Sequence, residues 1–206
     1  MKQKNKLVYG VGVNDADYEV YRYEKVNGKW KSVWKCPFYR KWQAMLERSY
    51  SQELHKKFNT YIGCSTALEW HYFTTFRAWM IEQDWEGKEL DKDLLFPGNK
   101  IYGPDTCIFV SPSVNKFLNQ NKGNRENWPI GVTFRPENGQ FQARCQDVLS
   151  GKTKSLGYHD SAEKAHRAWL TFKLEQAKIL AEQQTDPRVA AALINRYENY
   201  GIYFGE

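Results

Sequence analysis

Two turn signals divide residues 130–158 into three short segments. Pro136-Glu137-Asn138-Gly139 is one turn, and Ser150-Gly151 is the other. Between them, Phe141, Ala143 and Cys145 alternate with polar residues. This period of two is typical of a strand that packs one face on a core. The pattern therefore predicts three antiparallel strands joined by tight turns, at residues 130–135, 140–148 and 152–158.

A long helix is predicted directly after the third strand. Asp160 stands where a helix cap is expected, and Glu163 follows three residues later, as in a capping box. The apolar residues then fall mostly on one side as far as about Gln183; they are Ala165, Ala168, Trp169, Phe172, Leu174 and Leu180. The expected fold class is α+β, with a three-stranded antiparallel sheet packed on one long helix.

The polar run 119–127 has no apolar residue and is the best linker in the chain. We therefore expect a module at 1–120, a linker at 121–127, a sheet-and-helix module at 128–183, and a C-terminal helix and tail at 184–206. The first module is aromatic-rich. Within it we expect a hairpin turning at Asn27-Gly28 and two helices, at 37–50 and 69–79.

The charge of the chain favours a polyanionic partner. The formal net charge is +6 and the isoelectric point is about 9.0, a balance typical of nucleic-acid-binding domains. No apolar run approaches the roughly 20 residues that span a bilayer, and no signal-peptide core follows the basic start. A cytoplasmic protein without a membrane partner is expected. The four cysteines lack CxxC spacing, so buried thiols are expected and a zinc site is not.

The predicted sheet carries a candidate DNA-binding face. Its period of two places Gln142, Arg144 and Gln146 on the side opposite the apolar residues. Arginine can pair with guanine, glutamine with adenine, and lysine with phosphate. The candidate DNA-binding residues are Arg135, Gln140, Gln142, Arg144, Gln146, Lys152 and Lys154. An ordinary solvated face is the alternative interpretation.

Four sequence blocks in this module occur in a recognisable order. They are Gly131-Val132-Thr133-Phe134, then Gly139-Gln140-Phe141-Gln142-Ala143-Arg144, then Lys154-Ser155-Leu156-Gly157-Tyr158, then Ser161-Ala162-Glu163-Lys164-Ala165-His166-Arg167-Ala168-Trp169. Together they resemble the APETALA-type (ethylene-response-factor) DNA-binding domain over about residues 128–180. The resemblance implies that the strands bind the major groove of double-stranded DNA. Phe141 stands where that family often has tryptophan.

A second set of blocks precedes the linker. Leu90-Asp91-Lys92-Asp93, Gly98-Asn99-Lys100, Cys107-Ile108-Phe109-Val110 and Ser111-Pro112-Ser113-Val114-Asn115 follow one another. They resemble the HNH, or ββα-metal, nuclease core of phage and homing endonucleases over about residues 88–118. The resemblance implies that Asp91 and Asn115 bind Mg²⁺ or Mn²⁺, which would stabilise the leaving oxygen during phosphodiester hydrolysis.

Lys92 occupies the position of the histidine that normally acts as general base in that family. Lysine has a pKa near 10.4 and is a poor base at neutral pH unless it is desolvated. Three interpretations stay open. Asp93, or Lys92 with a lowered pKa, acts as the base in a catalytic set of Asp91, Lys92, Asp93 and Asn115; or the module has lost catalysis and binds DNA; or residues 91–93 are a solvated strand end.

Three functions follow from these patterns. The first is a metal-dependent DNA endonuclease of phage or mobile-element type, which would work in the host cytoplasm if it is phage-encoded. The second is a catalytically inactive DNA-binding or regulatory protein on the same scaffold. The third is a phage protein that binds a host protein through an aromatic surface, since 16% of the residues are aromatic.

Overall fold

A computed structural model describes residues 7–119 and 128–204, with the side chain of residue 204 left out. The chain divides into two compact units, Met1–Ser111 and Pro112–Glu206. The boundary falls before the polar run, between the last strand and the helix of the HNH-like segment. Residues 121–127, the predicted linker, lie outside the described residues.

The first unit opens with a β-hairpin. Strands β1 (Tyr21–Val26) and β2 (Lys29–Lys35) pair antiparallel around the turn at Asn27 and Gly28. Both turn residues have positive φ, 50° and 78°, as a type I′ turn requires. The hairpin predicted from the Asn-Gly pair is confirmed.

Helices of the first unit follow the aromatic pattern in part. Helix α1 (Pro37–Tyr50) has the predicted bounds, and α2 (Gln52–Lys57) follows it. The continuous helix predicted at 69–79 is wrong, because a 3-10 turn at Leu68–His71 precedes α3 (Phe73–Ile81). The interruption has a physical cause in the backbone of Val13. The Val13 N–H donates to the His71 carbonyl, and the Val13 carbonyl accepts from the Phe73 N–H.

The aromatic residues of these helices form the core of the first unit. The side chains of Trp42, Trp70, Phe73 and Phe76 are buried completely or nearly so. The indole Nε1 of Trp42 donates to the carbonyl of Trp70 at 2.7 Å, so its polar atom is satisfied inside the core. All four cysteines of the chain are buried, as predicted.

Short strands complete the first unit. Strand β3 (Ser65–Thr66) pairs parallel with β5 (Ile101–Tyr102), and β4 (Glu89–Asp91) pairs antiparallel with β6 (Ile108–Val110). The first strand of the HNH-like segment therefore ends at Asp91.

The second unit has the predicted three-stranded antiparallel sheet on one long helix. After α4 (Pro112–Leu118), strands β7 (Val132–Arg135), β8 (Gln140–Gln146) and β9 (Thr153–His159) pair in the order β7-β8-β9. They pack on α5 (Ala162–Glu182) through a small core of Val132, Ala143, Ala162 and Ala165. Helices α6 (Pro187–Glu198) and α7 (Tyr200–Phe204) follow.

The cap of α5 lies one residue later than predicted. The Ser161 hydroxyl accepts from the backbone N–H of Lys164, while the Asp160 carboxylate pairs with the Lys164 ammonium at 2.6 Å. A serine hydroxyl fits the N-cap position as well as an aspartate does. Within the described residues, no helix combines the length and apolar character that crossing a bilayer requires.

Candidate nucleic-acid interface

The register of the sheet separates its two faces. Val132 lies opposite Ala143 on the side that packs on α5, so Thr133 and its partner Gln142 lie on the other side. We name this other side the polar face. Its members are Thr133, Arg135, Gln140, Gln142, Arg144, Gln146, Thr153, Ser155 and Tyr158. Alternation thus brings together on this face five of the seven predicted DNA-binding residues.

Gln142 holds the guanidinium of Arg135 in place. The Nε and Nη2 atoms of Arg135 donate to Gln142 Oε1 at 3.0 and 2.7 Å, and Gln142 Nε2 donates to the Ser155 hydroxyl at 3.0 Å. Gln142 is only 8% exposed. Sequence reasoning placed Gln142 among the residues that meet a base, whereas its amide is engaged within the sheet and supports Arg135.

The opposite edge of the Arg135 guanidinium stays available. Gln142 occupies the Nε–Nη2 edge, which leaves the parallel N–H groups of the Nη1–Nη2 edge. In the part of the chain that the structure describes, no acceptor lies within hydrogen-bond distance of that edge. Its fork matches the O6 and N7 acceptors of guanine or two phosphate oxygens. The sheet therefore presents an arginine that is already oriented.

Other predicted residues border Arg135 on the polar face. Arg144 is exposed and lies opposite Ser155. Gln140 is half-buried opposite Arg135. Gln146 donates to the Gly151 carbonyl at 2.7 Å, which braces the turn that carries the exposed Lys152.

Lys154 lies on the other side of the sheet, which corrects its placement with the polar face. Its register partner is the buried Cys145, and its ammonium lies 5.1 Å from the ring centre of Phe172 on α5. Lys154 shares this side with Leu156, two residues further on, which packs on the core beside α5. The pairing irregularity next to Gly157, with its φ of 102°, follows Ser155 and moves Tyr158 to the polar face. The sequence of β9 alone does not show that shift.

The electrostatics of the polar face favour an anion. It carries two arginines and no carboxylate among its nine members. Thr133, Arg144, Thr153, Ser155 and Tyr158 are exposed. Hydroxyl and guanidinium groups arranged in this way can donate to phosphate oxygens and to base edges.

The HNH-like segment places Asp91 in a local turn. Its Oδ1 accepts from the backbone N–H groups of Asp93 and Leu94, at 2.9 and 2.7 Å. Burial raises the pKa of the Asp91 carboxyl above its ordinary value, and the nearby Asp93 adds to the rise. These contacts are those of a side chain that ends a strand and starts a turn.

Lys92 and the Gly98-Asn99-Lys100 loop are bound to the same turn. Lys92 is 8% exposed, and its ammonium lies 3.3 Å from Asp93 Oδ2. The Asn99 amide donates to the carbonyls of Lys92 and Ile101, at 2.7 and 2.8 Å. Residues 91–93 are therefore not a solvated strand end, because both Asp91 and Lys92 are engaged inside the fold.

The predicted metal ligands fall in different units. Asp91 ends β4 in the first unit, whereas Asn115 lies on α4 in the second, where its Oδ1 accepts from Asn119 Nδ2 at 2.7 Å. Among the described residues, no group of three or more His, Cys, Asp or Glu side chains is placed to hold a metal ion. Asp91 Oδ1 and Asn115 Oδ1 each accept hydrogen bonds from neighbouring groups of their own unit, and we derive no catalytic step through a metal.

Sequence reasoning missed a cavity of about 460 Å³ in the second unit, lined by Arg144, Gln146, Trp169 and Lys173 among others. Lys173 is 1% exposed, and its ammonium donates to the Phe117 carbonyl at 2.9 Å. Burial lowers the pKa of Lys173 to about 7. The sequence indicates that this lysine is buried, because Lys173 follows Trp169 by four residues on the apolar side of α5.

Comparison of the chain with profiles of known protein families, with curated proteins and with solved structures finds no match.

Proposed function

We propose that this protein binds double-stranded DNA through the polar face of the second unit, with Arg135 and Arg144 as its main contacts. The observation that carries the proposal is the pair of hydrogen bonds from Arg135 to Gln142. They orient a guanidinium whose remaining edge has the geometry for guanine or phosphate. A side chain that is held before binding loses less conformational entropy on binding.

The dimensions of the sheet suit the major groove. Neighbouring strands lie about 4.8 Å apart, so three strands measure roughly 10 Å across. The groove of B-form DNA is about 12 Å wide and admits a small β-structure. Lys152 and the hydroxyl groups of Thr133, Thr153 and Tyr158 would then donate to the phosphates on either side.

The order of the elements supports the same proposal. The four sequence blocks that resemble the APETALA-type domain coincide with β7, β8, β9 and the first half of α5. Gly131 has a φ of +82°, and a side chain there would meet the Trp169 indole. The first and last of the four blocks therefore pack against each other, with Gly131 next to the Trp169 indole.

A titration with matched charge variants tests the proposal. We would measure fluorescence anisotropy of a labelled duplex of randomised sequence at low salt. Arg135→Ala is expected to weaken binding by about 5- to 100-fold, which corresponds to roughly 1–3 kcal/mol. Lys154→Ala removes the same charge from the opposite side of the sheet and is expected to bind like the wild type. Equal losses in both variants, or no wild-type binding, would contradict the proposal.

Phosphodiester cleavage is not part of this proposal. Asp91 and Lys92 are engaged in the turn after β4, and no observation on the described residues favours catalysis over DNA binding alone. Nuclease activity stays a prediction from the HNH resemblance, as does the choice of Mg²⁺ or Mn²⁺. Binding of a host protein also stays a prediction.

A further inference from the structure

The β1–β2 hairpin of the first unit leaves its aromatic side chains in water. Every residue from Arg22 to Trp34 is exposed, on both faces of the ribbon. Trp30 is 72% exposed, Tyr23 54% and Trp34 40%. A two-stranded hairpin gains little stability from its own strands, and large aromatic rings in water contribute nothing to a core. Rings exposed in this way are typical of a surface that binds a partner.

Cationic side chains are interleaved with the rings on each face. On one face, Lys35 lies 5.2 Å from the ring centre of Tyr21, whose ring centre is 5.8 Å from that of Tyr23. On the other face, the Arg22 guanidinium lies 5.7 Å from the ring centre of Trp34. Each face therefore combines flat apolar surfaces with positive charge.

The positive charge of the hairpin favours an anionic partner. Residues 21–35 contain five cations and one carboxylate, a net charge of +4, whereas the whole chain carries +6. The cations are Arg22, Lys25, Lys29, Lys31 and Lys35, and the carboxylate is Glu24. Much of the chain's positive excess is concentrated on this ribbon, so an anionic polymer fits it better than a neutral apolar surface does.

We propose that the β1–β2 hairpin binds single-stranded nucleic acid, with Tyr23 and Trp30, which share one face of the ribbon, stacking on bases and the lysines pairing with phosphates. Base faces are covered in a duplex but open in a single strand, so exposed rings of this size stack most readily where bases are unpaired. Basic grooves with aromatic platforms bind single strands with little dependence on sequence.

This surface goes beyond the DNA-binding face proposed above. It uses residues of the first unit, whereas Arg135 and Arg144 belong to the second. The two surfaces can therefore fail independently. A chain that has both would recognise duplex and unpaired strands with different residues.

Anisotropy of a labelled oligothymidylate, titrated with the full chain, tests the hairpin directly. Trp30→Ala is expected to weaken binding by about 5- to 100-fold, since stacking of one base is lost. Phe96→Ala, which removes a 54% exposed ring elsewhere in the first unit, is the matched control and is expected to leave affinity unchanged. Because Trp30 is exposed, the far-UV circular dichroism of the variant should equal that of the wild type.

Two outcomes would overturn the proposal. The first is absence of wild-type binding at low salt, and the second is equal affinity of Trp30→Ala and wild type for oligothymidylate. If the second is accompanied by a loss of binding to anionic phosphatidylserine vesicles in Trp30→Ala, the hairpin is a membrane-surface element instead. Arg135→Ala is expected to keep oligothymidylate binding, and Trp30→Ala to keep duplex binding. This pair separates failure of the hairpin from failure of the polar face.

Discussion

Arg135 and Gln142 lie on neighbouring strands, and the Nε and Nη2 atoms of Arg135 both donate to Gln142 Oε1, at 3.0 and 2.7 Å. Gln142 is itself fixed by the Ser155 hydroxyl on the third strand. The three strands of the sheet thus share one hydrogen-bond chain that ends in a guanidinium. Binding through Arg135 therefore depends on Gln142, although Gln142 need not contact the DNA itself.

Gln142→Ala is expected to weaken duplex binding by about 3- to 10-fold, because Arg135 loses its support. A double-mutant cycle separates this positioning role from a general loss of structure. In an Arg135→Ala background, Gln142→Ala should cost almost nothing further, measured by anisotropy on the same duplex. Additive losses would show that Gln142 acts independently of Arg135.

The lowered pKa of Lys173 predicts that the free energy of unfolding depends on pH. Its pKa is lowered from an ordinary 10.5 to about 7 by burial. Between these values the unfolded chain binds a proton that the folded chain does not, so stability rises with pH through this window. The slope approaches about 1.4 kcal/mol per pH unit. Below pH 7 the ammonium is charged in both states, and this rise is absent.

Lys173→Met removes that titration while keeping the bulk of the side chain. The free energy of unfolding, from urea titrations at several pH values between 7 and 10, is expected to rise less steeply in the variant. At pH 6 the variant should be the more stable by about 1 kcal/mol or more, since no charge is buried. Identical slopes in both proteins would contradict the assignment.

Two glycines of the second unit offer a matched comparison. A Cβ on Gly131 would lie 2.1 Å from the Trp169 indole at a φ of +82°, whereas one on Gly139 would meet nothing within 4 Å at a φ of +67°. Gly131→Ala is expected to destabilise by at least about 2 kcal/mol, through backbone strain and displacement of Trp169. Gly139→Ala should cost about 1 kcal/mol from its φ alone. Calorimetry compares the two, and similar losses would refute the role of Trp169.

Substitutions of Asp91 distinguish a role in stabilising the turn from a role as a metal ligand. Asp91→Ala leaves two backbone N–H groups without their acceptor and is expected to destabilise by about 1–2 kcal/mol. Asp91→Asn keeps an acceptor oxygen and removes a buried charge, so its melting temperature should match or exceed that of the wild type. Mg²⁺-dependent plasmid nicking by the wild type that Asp91→Asn abolishes, with the fold intact, would establish the nuclease instead.

Local patterns predicted most of the fold of the second unit. The turn at Asn138-Gly139, the alternation of Phe141, Ala143 and Cys145, and the apolar side of α5 depend on neighbouring residues, and each appears in the structure. The polar face followed from the same alternation. What sequence reasoning could not supply was the pairing irregularity beside Gly157, which moves Tyr158 to the polar face.

Long-range contacts account for the other differences. The break before α3 depends on Val13, which is far away in the chain. The engagement of Gln142 depends on Arg135 and Ser155, which only the sheet brings together. In the segment that resembles the HNH core, Asp91 belongs to the first unit and Asn115 to the second, and the metal site stays a prediction.

The most direct test of the central claim is an NMR titration of the chain, labelled at its arginine Nε and backbone amides, with a randomised duplex at low salt. We expect the largest shift changes at Arg135 Nε and at the amides of Thr133, Arg144 and Ser155, with Lys154 and the exposed side of α5 little affected. Changes confined to other residues, with the Arg135 Nε signal unmoved at saturation, would contradict binding through the polar face.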